Sequence, residues 1–169
     1  MRNFYDFNPN YQTPSNDASN SVILDLNVPL HNDEFYKLFD EYCITPNEMT
    51  QNNLGMHLNK MHYLLGIILD ENTSIDTNIN QITIQKGDAL NFLICSNEDR
   101  EVFLPVFTDD AELKNWYTES IHTLSVPAAW LWKFVLTQKS YAGILINPNG
   151  IAWSINPDHI QSLLSDLTE

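Results

Sequence analysis

Thr108, Asp109, Asp110 and Glu112 crowd one short stretch of the chain, directly after the apolar run FLPVF at 103–107. Neighbouring carboxylates can share a proton, hold a cation or work as an acid and base pair. The same residues can also start a helix. Asp109 and Glu112 stand three apart, which is capping-box spacing, with Thr108 or Asp109 as the N-cap. Acids in a first helical turn complement the helix dipole by about 0.3–1 kcal/mol each. Adjacent helix residues point in different directions, so Asp109 and Asp110 do not converge as a pair on spacing alone. Helix punctuation accounts for these acids fully. What remains is a ligand or partner site at a strand-to-helix junction.

The other residues able to do chemistry form no constellation. His31, His57, His62, His122 and His159 are scattered. His57 and His62 are five apart and straddle an expected helix end, so they are not a helical i, i+4 ligand pair. His159 falls in the first turn of the last expected helix, where a cation is disfavoured, and reads as a surface histidine. Cys43 has no neighbour that would lower its pKa, and Cys95 ends NFLIC like a strand thiol facing the interior. No CxxC, GxGxxG, GxxxxGK[ST], GxSxG or HExxH occurs. No catalytic residue, metal site or cofactor is assigned, and a non-enzymatic protein is expected.

The totals bound the partners. The chain has 169 residues, 43% hydrophobic and 11% aromatic, enough for one domain with a core. Twenty-two acids against eight bases give a formal charge of −14. Phosphate-rich nucleic acid and anionic membrane surfaces need a basic footprint and are disfavoured. A basic protein is the partner such a field would steer in; the plainer role of the charge is solubility. The first 21 residues contain no apolar leader, and the longest apolar run, YLLGIIL at 63–69, is too short to span a bilayer. With unpaired cysteines this points to the cytoplasm.

The elements that would position the junction follow from periodicity. Residues 1–20, rich in Asn, Ser, Pro and Asp, read as a flexible arm, and 21–169 as the domain. Asn32 or Asp33 caps a helix whose stripe is Phe35, Leu38, Phe39 and Tyr42. Pro46 interrupts it, and a second helix begins near Asn47. MHYLLGIIL reads as a strand buried on both faces and DENTSIDTNIN as a polar loop. QITIQ, LNFLIC and EVFLPVF read as strands, with a turn at Lys86-Gly87-Asp88. Pro105 lacks an amide donor and belongs at an edge or bulge. Leu113, Trp116 and Tyr117 face the core from the helix after Asp109.

Ser125 is expected to cap a further helix with Pro127 in its first turn. Its stretch AAWLWKFVL is apolar nearly all round, so it is buried or carries a contact surface. Trp130, Leu131, Phe134 and Val135 form one stripe, which leaves Trp132 as either a second packing contact or an exposed binding residue. Two short strands flank Asn147-Pro148-Asn149-Gly150, a turn signal. Asn156 then caps a last amphipathic helix carrying Ile160, Leu163, Leu164 and Leu167. The fold class is α+β: a single domain with a mixed, mostly antiparallel sheet of about five or six strands and packed helices.

REVFLPVFTDDAELKNW, the helix opened by Val126-Pro127, and GILINPNG followed by PDHIQSLL together resemble the SseB N-terminal domain family over roughly residues 30–167. Leu104, Pro105, Phe107, Thr108, Leu113, Trp116, Asn147, Pro148 and Gly150 stand at the pattern positions. The resemblance implies an α+β domain. It brings the label "enhanced serine sensitivity", which is a phenotype, and no catalytic residues. Some longer members carry a second, C-terminal domain, and the chain ends after the first. The expected function is a protein-binding module, in its specific form an immunity protein or adaptor that neutralises a basic protein. The expected contact residues are Thr108, Asp109, Asp110, Glu112, Trp132, Asn147 and Asn149. The rival from another class is an amino-acid sensor or enzyme linked to serine metabolism, its ligand's ammonium on Asp109 or Asp110. A third is a structural module acting within an assembly.

Overall fold

The structure is a computed structural model, and residues 5–6, 21–69, 75–76, 80–85 and 89–167 are described. The strands are β1 (Tyr5–Asp6), β2 (Ser21–Asp25), β3 (His62–Ile68), β4 (Ile75–Asp76), β5 (Gln81–Gln85), β6 (Ala89–Phe92), β7 (Cys95–Ser96), β8 (Val102–Val106), β9 (His122–Pro127), β10 (Gly143–Ile146) and β11 (Trp153–Ile155). The helices are α1 (Asp33–Ile44), α2 (Glu48–Leu58), α3 (Asp110–Trp116), α4 (Ala128–Thr137) and α5 (Pro157–Asp166). This is an α+β fold, and its strands are distributed over three sheets among the described residues. Their orders are β1-β6-β3-β9, β11-β10-β8-β7 and β2-β5-β4. All pairings are antiparallel except β8 with β10. Single-residue bridges join the sheets, Leu64 to Phe107 and Leu26 to Leu124. Of the expected arm, Tyr5–Asp6 pairs with β6. The rest of 1–20, the Lys86-Gly87-Asp88 turn and most of the 70–80 loop lie outside the described residues.

Strand β3 is central because its apolar run buries both faces, as a run without alternation must. On one face Tyr63, Leu65 and Ile67 enter the main core with α4, α5 and the second sheet. On the other, Leu64 packs with Phe107 and Leu113 in a smaller cluster. LNFLIC is broken at Leu93–Ile94: β6 pairs with β3, and β7 moves on to pair with β8. Pro105 lies in an inner strand, paired with Leu145 of β10, and not at the edge or bulge expected of it. Val102 and Val106 carbonyls accept from Ala142 and Asn147 on the β10 side. Alternation then turns Phe103, Pro105 and Phe107 to the opposite flank, where Cys95 pairs with Phe103 and Leu64 with Phe107. Pro105 occupies the gap between those two pairings, so no ladder bond is lost.

Two expected caps are displaced by tertiary contacts. Ser125 does not cap a helix; it lies in β9 opposite Leu64, within a six-residue ladder to β3. Pro127 is the last residue of that strand, and its extended backbone leads straight into α4. Asn32 stands at the N-cap position of α1 but makes no side-chain cap bond; its Nδ2 instead holds the His62 and Thr108 carbonyls. The Asn47 expectation is met with a full capping box to Thr50, and Asn156 caps α5 with Pro157 following. Helix α4 is buried nearly all round, with Trp130 stacked on Phe134 at 4.9 Å.

Gly143 begins β10 at φ 152°, a region few side chains adopt, and a Cβ there would run into the Ile155 carbonyl oxygen. Gly143→Ala should therefore cost at least about 2 kcal/mol in chemical denaturation. An unchanged midpoint would mean that β10 and β11 pack less closely than described.

Candidate functional site

The strand-to-helix junction is assembled by four segments that meet at Thr108. Residue by residue, β8 alternates its partners. Val106 bonds Asn147 through its carbonyl, and Phe107 exchanges both backbone bonds with Leu64, at 2.9 and 3.0 Å. Thr108 is then fully buried, and its backbone is met by side chains in place of strands. Its N–H donates to Asn147 Oδ1 at 3.0 Å. Its carbonyl accepts from Asn32 Nδ2 at 2.7 Å, and the same amide donates to the His62 carbonyl at 3.2 Å. This satisfies a backbone that has left its sheet, which burial would otherwise penalise.

Asn147 is the counterpart on the β10 side, fully buried at φ 48°. Its Nδ2 donates to Thr108 Oγ1 at 2.8 Å and to the Tyr36 hydroxyl at 3.1 Å. Its carbonyl accepts from Gly150 N and Ala152 N at 2.8 and 3.0 Å, which forms the turn. A left-handed residue with a short amide suits this position, since Asn tolerates that region better than most residues.

Tyr36, one turn into α1, completes the group. Its hydroxyl lies 2.8 Å from Thr108 Oγ1, 3.2 Å from Asp109 Oδ2 and 3.3 Å from Glu112 Oε1. One phenolic proton thus has several acceptors around it. Burial, followed by the neighbouring charges of Asp109 and Glu112, pushes the phenol up from 10.0 to about 12, against an opposing hydrogen bond from Thr108. At neutral pH Tyr36 is a donor, not a base or nucleophile. Asp109 settles the capping question: its Oδ1 accepts from Glu112 N at 2.9 Å. Glu112 does not complete a capping box, because its carboxylate turns to Tyr36 and packs over Gly150. A Cβ at Gly150 would sit 2.5 Å from Glu112 Oε2, an oxygen shielded from solvent and without a hydrogen-bond partner.

The expected contact residues therefore divide. Thr108, Asp109, Glu112 and Asn147 are brought together, and two of them are corrected as contacts: Thr108 and Asn147 are buried supports that no partner can touch. Asp110 turns aside and accepts from Leu30 N at 3.3 Å. Asn149 is exposed and holds the end of α3 through the Asn115 carbonyl at 2.9 Å. Trp132 is corrected as well. It is fully buried, its indole N–H donates to Asn59 Oδ1 at 2.8 Å and its ring lies 5.5 Å from Tyr63. Asn59 in turn donates to the Leu163 carbonyl at 2.8 Å, so this indole ties α4 to α2 and α5. Sequence reasoning missed Tyr36 and Asn32 as site residues. The available signal was a tyrosine just off the α1 stripe, since a half-buried hydroxyl needs a partner.

No histidine side chain is hydrogen-bonded to this group among the described residues; His62 joins it only through its backbone carbonyl. His57 ends α2 and His62 starts β3, as expected; His122 faces Asn27 and His159 is exposed on α5. Among the described residues no three His, Cys, Asp or Glu side chains stand together as metal ligands. Cys43 and Cys95 are free thiols, and burial pushes Cys95 up to about 11. No helix among the described residues is long and apolar enough to cross a membrane.

The family model for the SseB protein N-terminal domain matches residues 57–162. The chain belongs to the SseB family. The match is narrower than the resemblance over 30–167. It takes in Thr108, Asp109, Glu112 and Asn147 and leaves α1, with Tyr36 and Asn32, outside it. No curated protein and no solved structure matches the SseB-family chain.

Tyr36→Phe removes the hydroxyl shared by Thr108, Asp109 and Glu112 and strands the Asn147 Nδ2 donor, and should cost about 1–3 kcal/mol in urea denaturation. Because the folded pKa is raised, this residue's contribution is complete below pH 10 and is lost as pH climbs toward 12. Phenolate absorbance of the folded protein should accordingly show at least two fewer tyrosines titrating near 10 than the unfolded chain, since burial raises Tyr63 as well as Tyr36. His57 has the opposite sign. Burial lowers it from 6.5, with Glu34 pulling back up and Lys60 adding downward, so its contribution is complete above pH 6.5 and is lost below. Melting temperature should fall on acidification in that window, less steeply in His57→Gln; identical slopes would refute the assignment.

Proposed function

We propose that this SseB-family chain is a non-enzymatic, cytoplasmic protein-binding module whose partner is a basic protein. Its specific form is an immunity protein or adaptor that neutralises that partner. The observation supporting this most is uncompensated acidity. The chain carries 22 acids, and the described residues contain one ion pair, Lys37 with Glu34 at 3.4 Å. A field of that kind speeds capture of a basic protein and sets salt dependence. At the junction, Asp109 and Asp110 remain partly accessible and Asn149 is exposed, on a backbone held by buried bonds. Partner contact on a rigid element avoids an ordering cost.

The Glu112 oxygen without a partner favours one rival reading, an amino-acid ligand whose ammonium is held by Asp109 and Glu112. Thermal-shift measurement over the amino acids separates the two; a shift abolished by Asp109→Asn supports the rival, since Asn keeps the cap. For the leading reading, affinity capture from the protein's own cells should return a basic protein at low salt and less of it at high salt. Asp109→Asn with Asp110→Asn should weaken capture several-fold at unchanged melting temperature. Capture of no protein at either salt would refute it.

A further inference from the structure

Half of the large apolar side chains that stand exposed among the described residues lie within one 13-residue span. They are Ile44 at 80%, Met49 at 72% and Met56 at 55%, against Ile23, Val28 and Leu167 elsewhere. Ile44 ends α1, and Met49 and Met56 are seven apart on α2, hence on one face. The connection between them is tight: Thr50 Oγ1 donates to the Thr45 carbonyl at 2.9 Å, and Asn47 Nδ2 to the same carbonyl at 3.1 Å. An open depression lies on this face, lined by Asn47, Glu48, Met49, Asn52 and Asn53. Helix α2 buries Leu54 and Leu58 on its opposite side, so these methionines are not needed for the core. All three apolar residues precede the stretch that the family model matches, 57–162.

The charge around the patch decides what can cover it. Asp40, Glu41 and Glu48 are exposed beside Ile44 and Met49. The ion pair of Lys37 with Glu34 lies toward the other end of α1. A second copy would set acid against acid across an apolar centre, on a chain already at −14. We infer that the α1–α2 face is a docking surface for an amphipathic helical segment of a basic partner, with apolar anchors on Ile44, Met49 and Met56 and Lys or Arg flanks on the acids. This rests on the protein-binding reading and adds a second contact to it, remote from the junction. Methionine suits the role because its unbranched thioether moulds to different anchors, and Asn52 and Asn53 supply donors and acceptors at the rim.

The test uses the full chain and two synthetic peptides of equal positive charge, one of leucine and lysine in helical amphipathic order, one of serine and lysine. Methyl NMR should show saturable shifts at Ile44, Met49 and Met56 with the leucine peptide. Binding should be at least tenfold weaker for the serine peptide. The same loss is expected in the triple variant Ile44→Ser, Met49→Ser, Met56→Ser, whose melting temperature should be unchanged. Equal binding of the two peptides, or binding that the triple variant retains, overturns this surface while leaving a basic partner in place. No binding of either peptide overturns both. A wild-type dimer in sedimentation that the triple variant abolishes would make the patch a self-interface and also overturn the inference.

Discussion

Thr108 is buried at the point where β8 leaves its sheet, and its backbone must find hydrogen bonds that no strand supplies. That constraint organises the rest of the junction. Asn147 answers the N–H, Asn32 answers the carbonyl, and the Thr108 hydroxyl links Asn147 to Tyr36. The partners come from α1 with its N-cap and from the β10 turn, so one residue's satisfaction fixes both relative to the start of α3. Buried polar groups of this kind are costly when half satisfied and specify a unique arrangement when complete.

Seen from this network, the acids after Phe107 have structural work to do. Asp109 caps α3, Asp110 takes up Leu30 N, and Glu112 reaches Tyr36. Helix α3 is only seven residues long and owes its place to that cap and to Leu113 under Phe107 and Leu64. The carboxylates are thereby held at a surface whose interior side is hydrogen-bonded apart from Glu112 Oε2. Such an arrangement suits presentation to a partner: charge is displayed on backbone that does not have to move.

Much of the architecture was legible from residues alone. Periodicity and caps placed α2 at Asn47, α3 at Asp109 and α5 at Asn156, and the unbroken apolar run of β3 announced burial on two faces. What escaped was long-range. HTLSVP reads locally as a helix approach, yet six ladder partners on β3 make it a strand. Asn32 looks like a cap because local spacing cannot reveal a carbonyl 76 positions away. Trp132 lies off the main stripe of α4, and its burial depends on Asn59, 73 positions distant, and on the ring of Tyr63. At the site, Asp109 and Glu112 were readable by spacing, whereas Tyr36 needed α1 to meet the start of α3, which no local pattern encodes.

The most direct test of the Thr108 hub is a double-mutant cycle in urea denaturation between Tyr36→Phe and Thr108→Val, the pair whose oxygens lie 2.8 Å apart. Hydrogen-bonded neighbours in one network should couple by about 0.5–3 kcal/mol. Additivity within about 0.5 kcal/mol, the behaviour of independent sites, would contradict the account and leave the junction without its organising bond.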